Sequence, residues 1–248
     1  MKGFCFAWML FLFAHDIKLS VAEIRKNVDY DKHRHPFDVG RDHLDVNMSF
    51  DLSEIRDIDE VNGVMTIKFS YKRVWHDGRI NFTNIKESEK GQSRILPDER
   101  NTIWLPWTIF DNLKHNNSML KSDKLDSCLA RQANNGSSKY SSESKMLIEY
   151  EKERIGEFMC DYDMFWFPFD SQSCGIKLYQ NEDNVHLVPD GLTYGGPQHL
   201  EQYTVTGLRM CHTNIQVKTN FDSLSQKHSR HPGLDMIFIL IFPGPSWS

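Results

Sequence analysis

The spacing of apolar positions changes at about residue 40, and the change predicts two kinds of structure. Val21, Ile24 and Val28 recur at helical spacing, which predicts a short N-terminal helix over residues 21–30, ahead of a polar, Pro-containing stretch at 31–37. Beyond it the period becomes two. Residues 44–52 and 64–71 alternate apolar and polar, as half-buried strands do. Further strands are predicted over 103–110, 144–153, 156–162, 175–179, 202–210 and 236–242. Short strands at this spacing imply an all-β fold, a sandwich or a barrel. The polar segment 112–143, with Asn134-Asn135-Gly136-Ser137-Ser138, reads as a long loop or a pair of short strands.

The two ends read differently. Met1-Lys2 followed by an apolar run over 3–14 has the length of a signal-peptide core and is too short to span a bilayer. Residues 1–22 are therefore read as a signal peptide cut after Ala22, with a cut near Ala14 as the alternative. At the other end, 234–242 is apolar for nine residues before Pro243-Gly244-Pro245, far short of the roughly 20 a membrane helix needs. It is a strand, or the stub of a helix.

Composition narrows the function classes. The chain has 248 residues, 40% of them hydrophobic, enough for one domain with a real core. Its formal net charge of −5, with both signs mixed along the chain, provides no basic stripe for nucleic acid. Eleven histidines accompany no His-Glu-x-x-His, Gly-x-Ser-x-Gly or Cys-His pairing, so no enzyme is predicted. His33 and His35 lack a third ligand, and His228 and His231 are expected in a solvated polar turn; no metal or cofactor is expected. Losing Cys5 with the signal leaves Cys128, Cys160, Cys174 and Cys211, an even number in a chain sent to an oxidising compartment. Sequons at Asn47, Asn81, Asn116 and Asn135 fit the same route.

The segment Cys160-Asp-Tyr-Asp-Met-Phe-Trp-Phe-Pro-Phe-Asp-Ser-Gln-Ser-Cys174 carries the most specific signal. Closing such a loop with a disulfide removes about 3 kcal/mol of unfolded-chain freedom in the entropy account. Phe165, Phe167 and Phe169 alternate with Trp166 and Pro168, giving a stiff tip with an apolar face that suits a partner surface. This resembles the signature loop of Cys-loop receptors, the pentameric neurotransmitter-gated channels, down to Asp170 and Gln172. Further resemblances follow in family order: Tyr30-Asp31-Lys32 through Pro36; Trp75-His76-Asp77-Gly78-Arg79-Ile80; Trp104-Leu105-Pro106 through Phe110-Asp111-Asn112; Phe221 to Leu224 with Arg230 to Leu234, which look like the last two strands; and Ile241-Phe242-Pro243, which looks like the entry to the first membrane helix. The second principal loop departs from the family, with Asn181-Glu182-Asp183-Asn184 where an aromatic is usual.

The resemblance implies an immunoglobulin-like β-sandwich of about ten strands behind an N-terminal helix, with residues 23–243 as the extracellular ligand-binding domain and 244–248 as the truncated start of the first membrane segment. It implies a pentamer of homologous subunits at the cell membrane, a small-molecule neurotransmitter at subunit interfaces, and a Cys160–Cys174 disulfide loop that presses Phe167-Pro168-Phe169 on the pore domain. Cys128 and Cys211 either bridge each other or stay free. Ser70 and Lys72, on one strand face, and Trp107, Phe110, Tyr179 and Phe221, in the principal-side loops, are the ligand-binding candidates. The capping loop, expected between Thr213 and Phe221, has no vicinal cysteine pair, which disfavours a nicotinic-type site. The alternative function is a secreted, soluble transmitter-binding protein of the same fold.

Overall fold

The computed structural model describes residues 21–36, 43–83, 92–115, 119–121, 126–132, 146–165, 171–180, 182, 184–200, 203–218 and 228–241. These form thirteen strands and a single short helix: β1 (Glu23–Lys26), β2 (Leu44–Asp59), β3 (Val64–His76), β4 (Ile80–Thr83), β5 (Gln92–Arg94), α1 (Pro97–Arg100), β6 (Thr108–Phe110), β7 (Met119–Lys121), β8 (Ser127–Gln132), β9 (Met146–Met159), β10 (Ser171–Gln180), β11 (Val185–Tyr194), β12 (Thr204–Lys218) and β13 (His228–Ile241).

Two sheets carry the fold. The larger runs β11-β2-β3-β9-β8-β5, with β7 also on β9; the smaller runs β12-β13-β10-β6. In β2 the alternation is strict: Leu44, Val46, Met48, Phe50 and Leu52 are buried while the residues between them face outward. The same period in β10 buries Gln172, Cys174, Ile176, Leu178 and Gln180. The inward faces of both sheets meet in one apolar core, so the molecule is an all-β sandwich, as its pattern predicts. Phe69 of β3 and Phe110 of β6 meet edge-on across the gap, with ring centroids 5.9 Å apart.

The predicted N-terminal helix is not formed. Residues 23–26 make β1 instead, paired antiparallel with β4 from Glu23↔Thr83 to Lys26↔Ile80. Its apolar spacing over 21–30 is helical, but a partner edge outweighs the weak local preference of four residues. Strands predicted at 144–153 and 156–162 are one continuous β9, because Gly156 stays in register opposite Ile67. His228 and His231 lie in β13, opposite Lys218 and Ile215, and not in a turn. No helix among the described residues is long and apolar enough to cross a membrane.

Candidate functional site

One end of the sandwich is organised around the Cys160–Cys174 loop. The β2–β3 turn at this end is closed by Asp59, whose carboxylate accepts from the Asn62 backbone N–H (3.0 Å) and side-chain amide (2.6 Å). Gly63 then adopts φ +62°, a conformation natural to glycine, and an added Cβ would lie 2.7 Å from the Cys160 carbonyl oxygen. The closeness has a use: the Cys160 N–H donates to the Gly63 carbonyl at 2.8 Å, tying the turn to the start of the loop.

Asn112 ties the other strand in. Its amide donates to the carbonyls of Met159 (2.9 Å) and Gly175 (2.8 Å), and its side-chain oxygen accepts from the Lys177 N–H (2.9 Å). The end of β9, the disulfide and β10 are thus held at one neck, with the Cys160 and Cys174 Cα atoms 5.3 Å apart. Inside the loop, buried Gln172 donates to the Asp163 carbonyl (2.6 Å) and accepts from the Asp163 N–H (3.0 Å), bracing the loop against β10. Phe165 stands 78% exposed on the loop. Phe167, Pro168, Phe169 and Asp170 lie outside the described residues. Beside the neck, a cavity of about 430 Å³ lies between residues 55–60 and Pro197, His199, Leu200 and Tyr203, whose hydroxyl donates to Glu60 at 2.6 Å.

The opposite end gathers the other quoted motifs. The buried Asp77 carboxylate grips Arg79 through both Nε and Nη2 at 2.9 Å. That guanidinium also donates to the carbonyls of Asp31 (3.2 Å) and Arg34 (2.8 Å) and lies over the Tyr30 ring. The Tyr30 hydroxyl accepts from the Trp104 N–H at 2.7 Å, and burial pushes its pKa up to about 12. Trp75 and Trp104 meet edge-on at 6.0 Å. These motifs, far apart in sequence, form a single clasp.

The ligand-binding candidates divide between two outward faces. Ser70 and Lys72 share the outer face of the larger sheet, opposite Glu153 and Glu151 of β9 and beside Asp51 and Ser49 of β2, but Ser70 is buried there and Lys72 only half-buried. Tyr179 faces outward from the smaller sheet, with Asp111 close enough to act with burial in raising its pKa. Trp107, 71% exposed, precedes β6. Phe110 instead packs against Phe69, Tyr71 and Phe158 at centroid distances of 5.6–6.0 Å. Phe221 and the tip of the capping hairpin lie outside the described residues. Within one chain the two groups of candidates point away from each other.

Cys128 is a buried thiol in β8, pushed up to about 12 by desolvation, while Cys211 is in β12 of the other sheet; they form no bridge. Asn47 and Asn81 are exposed on β2 and β4, and Asn116 and Asn135 lie outside the described residues. Sequence reasoning missed the buried basic cluster inside the sandwich. There the Arg73 guanidinium lies between the Tyr71 and Tyr150 rings and donates to the Pro106 carbonyl, while Nε and Nη2 have no hydrogen-bond partner among the described residues. Nearby, burial followed by the Arg73 charge lowers the pKa of Lys152 to about 8. The Tyr-x-basic pattern of Tyr71-Lys72-Arg73 and Tyr150-Glu151-Lys152 was the only sequence hint, and alternation alone assigns such residues to either face.

The chain is thus a two-sheet sandwich with a thirteen-residue disulfide loop at one end and an aromatic-acidic clasp at the other. The chain belongs to the neurotransmitter-gated ion-channel ligand binding domain family, which matches residues 20–229. It is 26% identical over 152 residues to the acetylcholine receptor subunit alpha-type unc-38 of Caenorhabditis elegans, covering 61% of this chain and 26% of the relative. It is 27% identical over 184 residues to the gamma-aminobutyric acid receptor subunit beta-like of Drosophila melanogaster, covering 68% and 34%. Ligand-gated ion channel 50 of Caenorhabditis elegans is 24% identical over 170 residues, covering 64% and 30%. The chain spans about a quarter to a third of the length of these relatives.

Proposed function

We propose that this domain stands outside the cell membrane as part of a transmitter-gated channel subunit, assembles with homologous subunits into a pentamer, and transmits binding at their interfaces to a pore through the Cys160–Cys174 loop. The observation that carries this reading is the neck: one backbone hydrogen bond from the Cys160 N–H to the Gly63 carbonyl, and three made by the Asn112 side chain, two donated and one accepted, link the β2–β3 turn, the loop and β10. A displacement of either sheet therefore reaches the loop tip, where exposed Phe165 offers an apolar contact. The division of Ser70 and Lys72 from Trp107 and Tyr179 supports a site completed by a neighbouring subunit, with Lys72 serving any carboxylate of the transmitter. The relatives' names cover both acetylcholine and γ-aminobutyric acid receptors, so both transmitters enter the test.

The test is to express the longest transcript carrying this chain in oocytes, alone and with related subunits, and to record currents evoked by each transmitter. The expected result is an evoked current that Phe167→Ala reduces without changing radioligand affinity, and that Lys72→Ala reduces with lower affinity. A protein that binds transmitter from the medium and evokes no current in any combination would overturn the gating role and favour the soluble binding protein.

A further inference from the structure

We propose that His43, Asp45 and His186 form a binding site for a divalent transition ion of the zinc class on the outer face of the larger sheet. The site is built by strand geometry. Leu44 and Val46 point into the core, so His43, just ahead of β2, and Asp45 within it point outward, two residues apart on one face. β11 runs parallel to β2 and places His186 directly beside Asp45, with Val185 and Leu187 buried on either side, so His186 shares the same outward face. Residues 43 and 186 are far apart in sequence, which is why scanning for close histidine pairs finds His33 and His35 instead.

The donor atoms already converge. One from each residue lies within 4.8 Å of the others, and His43 Nε2 is 3.4 Å from Asp45 Oδ1. The two imidazoles stack with centroids 4.3 Å apart and planes 19° from parallel. A tetrahedral zinc ion with bonds of about 2.0–2.1 Å wants its donors roughly 3.3 Å apart, so closure takes modest side-chain rotation. The side chains have room for it: those of His43 and Asp45 are 40% and 37% exposed. Two imidazoles and one carboxylate, with water as a fourth ligand, suit zinc or its borderline neighbours; calcium and magnesium want oxygen donors throughout.

The ion would cross-link β2 to β11, the one parallel strand pair among the described residues, just ahead of the register shift between Pro189 and Gly191. β11 leads on to the segment that lines the cavity beside the disulfide neck, so an ion here would restrain the strand entering that end of the molecule.

The experiment is titration of the metal-stripped, purified chain with Co²⁺ alone, followed by its visible d–d absorption, with Zn²⁺ added afterwards as competitor. The expected result is a low-coordinate Co²⁺ spectrum at one equivalent that Zn²⁺ bleaches, weakened by roughly tenfold or more in His186→Ala and in Asp45→Asn, and unchanged in His115→Ala. His43→Gln repeats the test if circular dichroism shows either variant misfolded. Absence of a cobalt spectrum, equal binding by the site variants, or equal loss in His115→Ala would overturn the proposal.

Discussion

At the residue scale, the disulfide neck depends on side chains whose type is legible and whose partners are not. Asn112 is visible in the Phe-x-Asn motif, yet only the fold shows it bonding to Met159, Gly175 and Lys177 at once. Removing it leaves two carbonyls and an N–H to find other partners, so Asn112→Ala is expected to cost about 2–3 kcal/mol at roughly 1 kcal/mol per bond. Urea unfolding monitored by tryptophan fluorescence measures this, and an unchanged midpoint would show that water replaces the amide fully. Gly63 is a second case. With φ +62° and the Cys160 carbonyl in the place of a Cβ, Gly63→Ala is expected to destabilise by more than about 1 kcal/mol, measured the same way. Nothing in the flanking Val61-Asn62-Gly63-Val64 identifies Cys160 as the neighbour, because that contact spans nearly a hundred residues.

At the element scale, the long strands were legible because their faces differ: one side is core and the other solvent, so β2, β3 and β10 show their period in the sequence. Elements without that contrast were not. β1 has only one partly buried residue in four, and its apolar spacing suggested a helix. β11 carries Pro189 and Gly191 at a register shift, which look like turn residues when read alone. The folded unit also bears on where a leader, if residues 1–22 hold one, would be cut. Ala22 is fully buried and donates to the Arg94 carbonyl at 2.9 Å, while Val21 bridges to Arg94. Of the two cleavage sites the sequence offers, the one near Ala14 keeps these contacts. Amino-terminal sequencing of secreted protein is therefore expected to begin upstream of Val21; a start at Glu23 would show that the Ala22 contacts are dispensable.

At the scale of the whole molecule, the interior cluster that sequence reasoning missed governs how stability follows pH. Lys152 titrates near 8 in the fold, lowered first by burial and then by Arg73, against about 10.4 in an unfolded chain. Below pH 8 both states hold the proton and the fold carries the full penalty of a poorly solvated ammonium. Between about 8 and 10.4 the unfolded chain holds more protons than the fold, so this group makes the protein more stable as pH rises. Cys128 acts in the opposite sense: its folded pKa is raised to about 12, so above its unfolded value near 8.5 the unfolded thiolate draws the protein apart. The two opposing slopes overlap above about pH 8.5, and variants separate them. Lys152→Met is expected to abolish the rise that begins near pH 8 and to expose a fall above about 8.5, and Cys128→Ala to turn the level stretch above about 8.5, where the two slopes cancel, into a continued rise, in denaturant midpoints measured from pH 7 to 10. If the Lys152→Met midpoints keep the native slope from pH 8 to 9, the lysine is solvated in solution, and the interior cluster around Arg73 is more open than its packing between Tyr71 and Tyr150 implies.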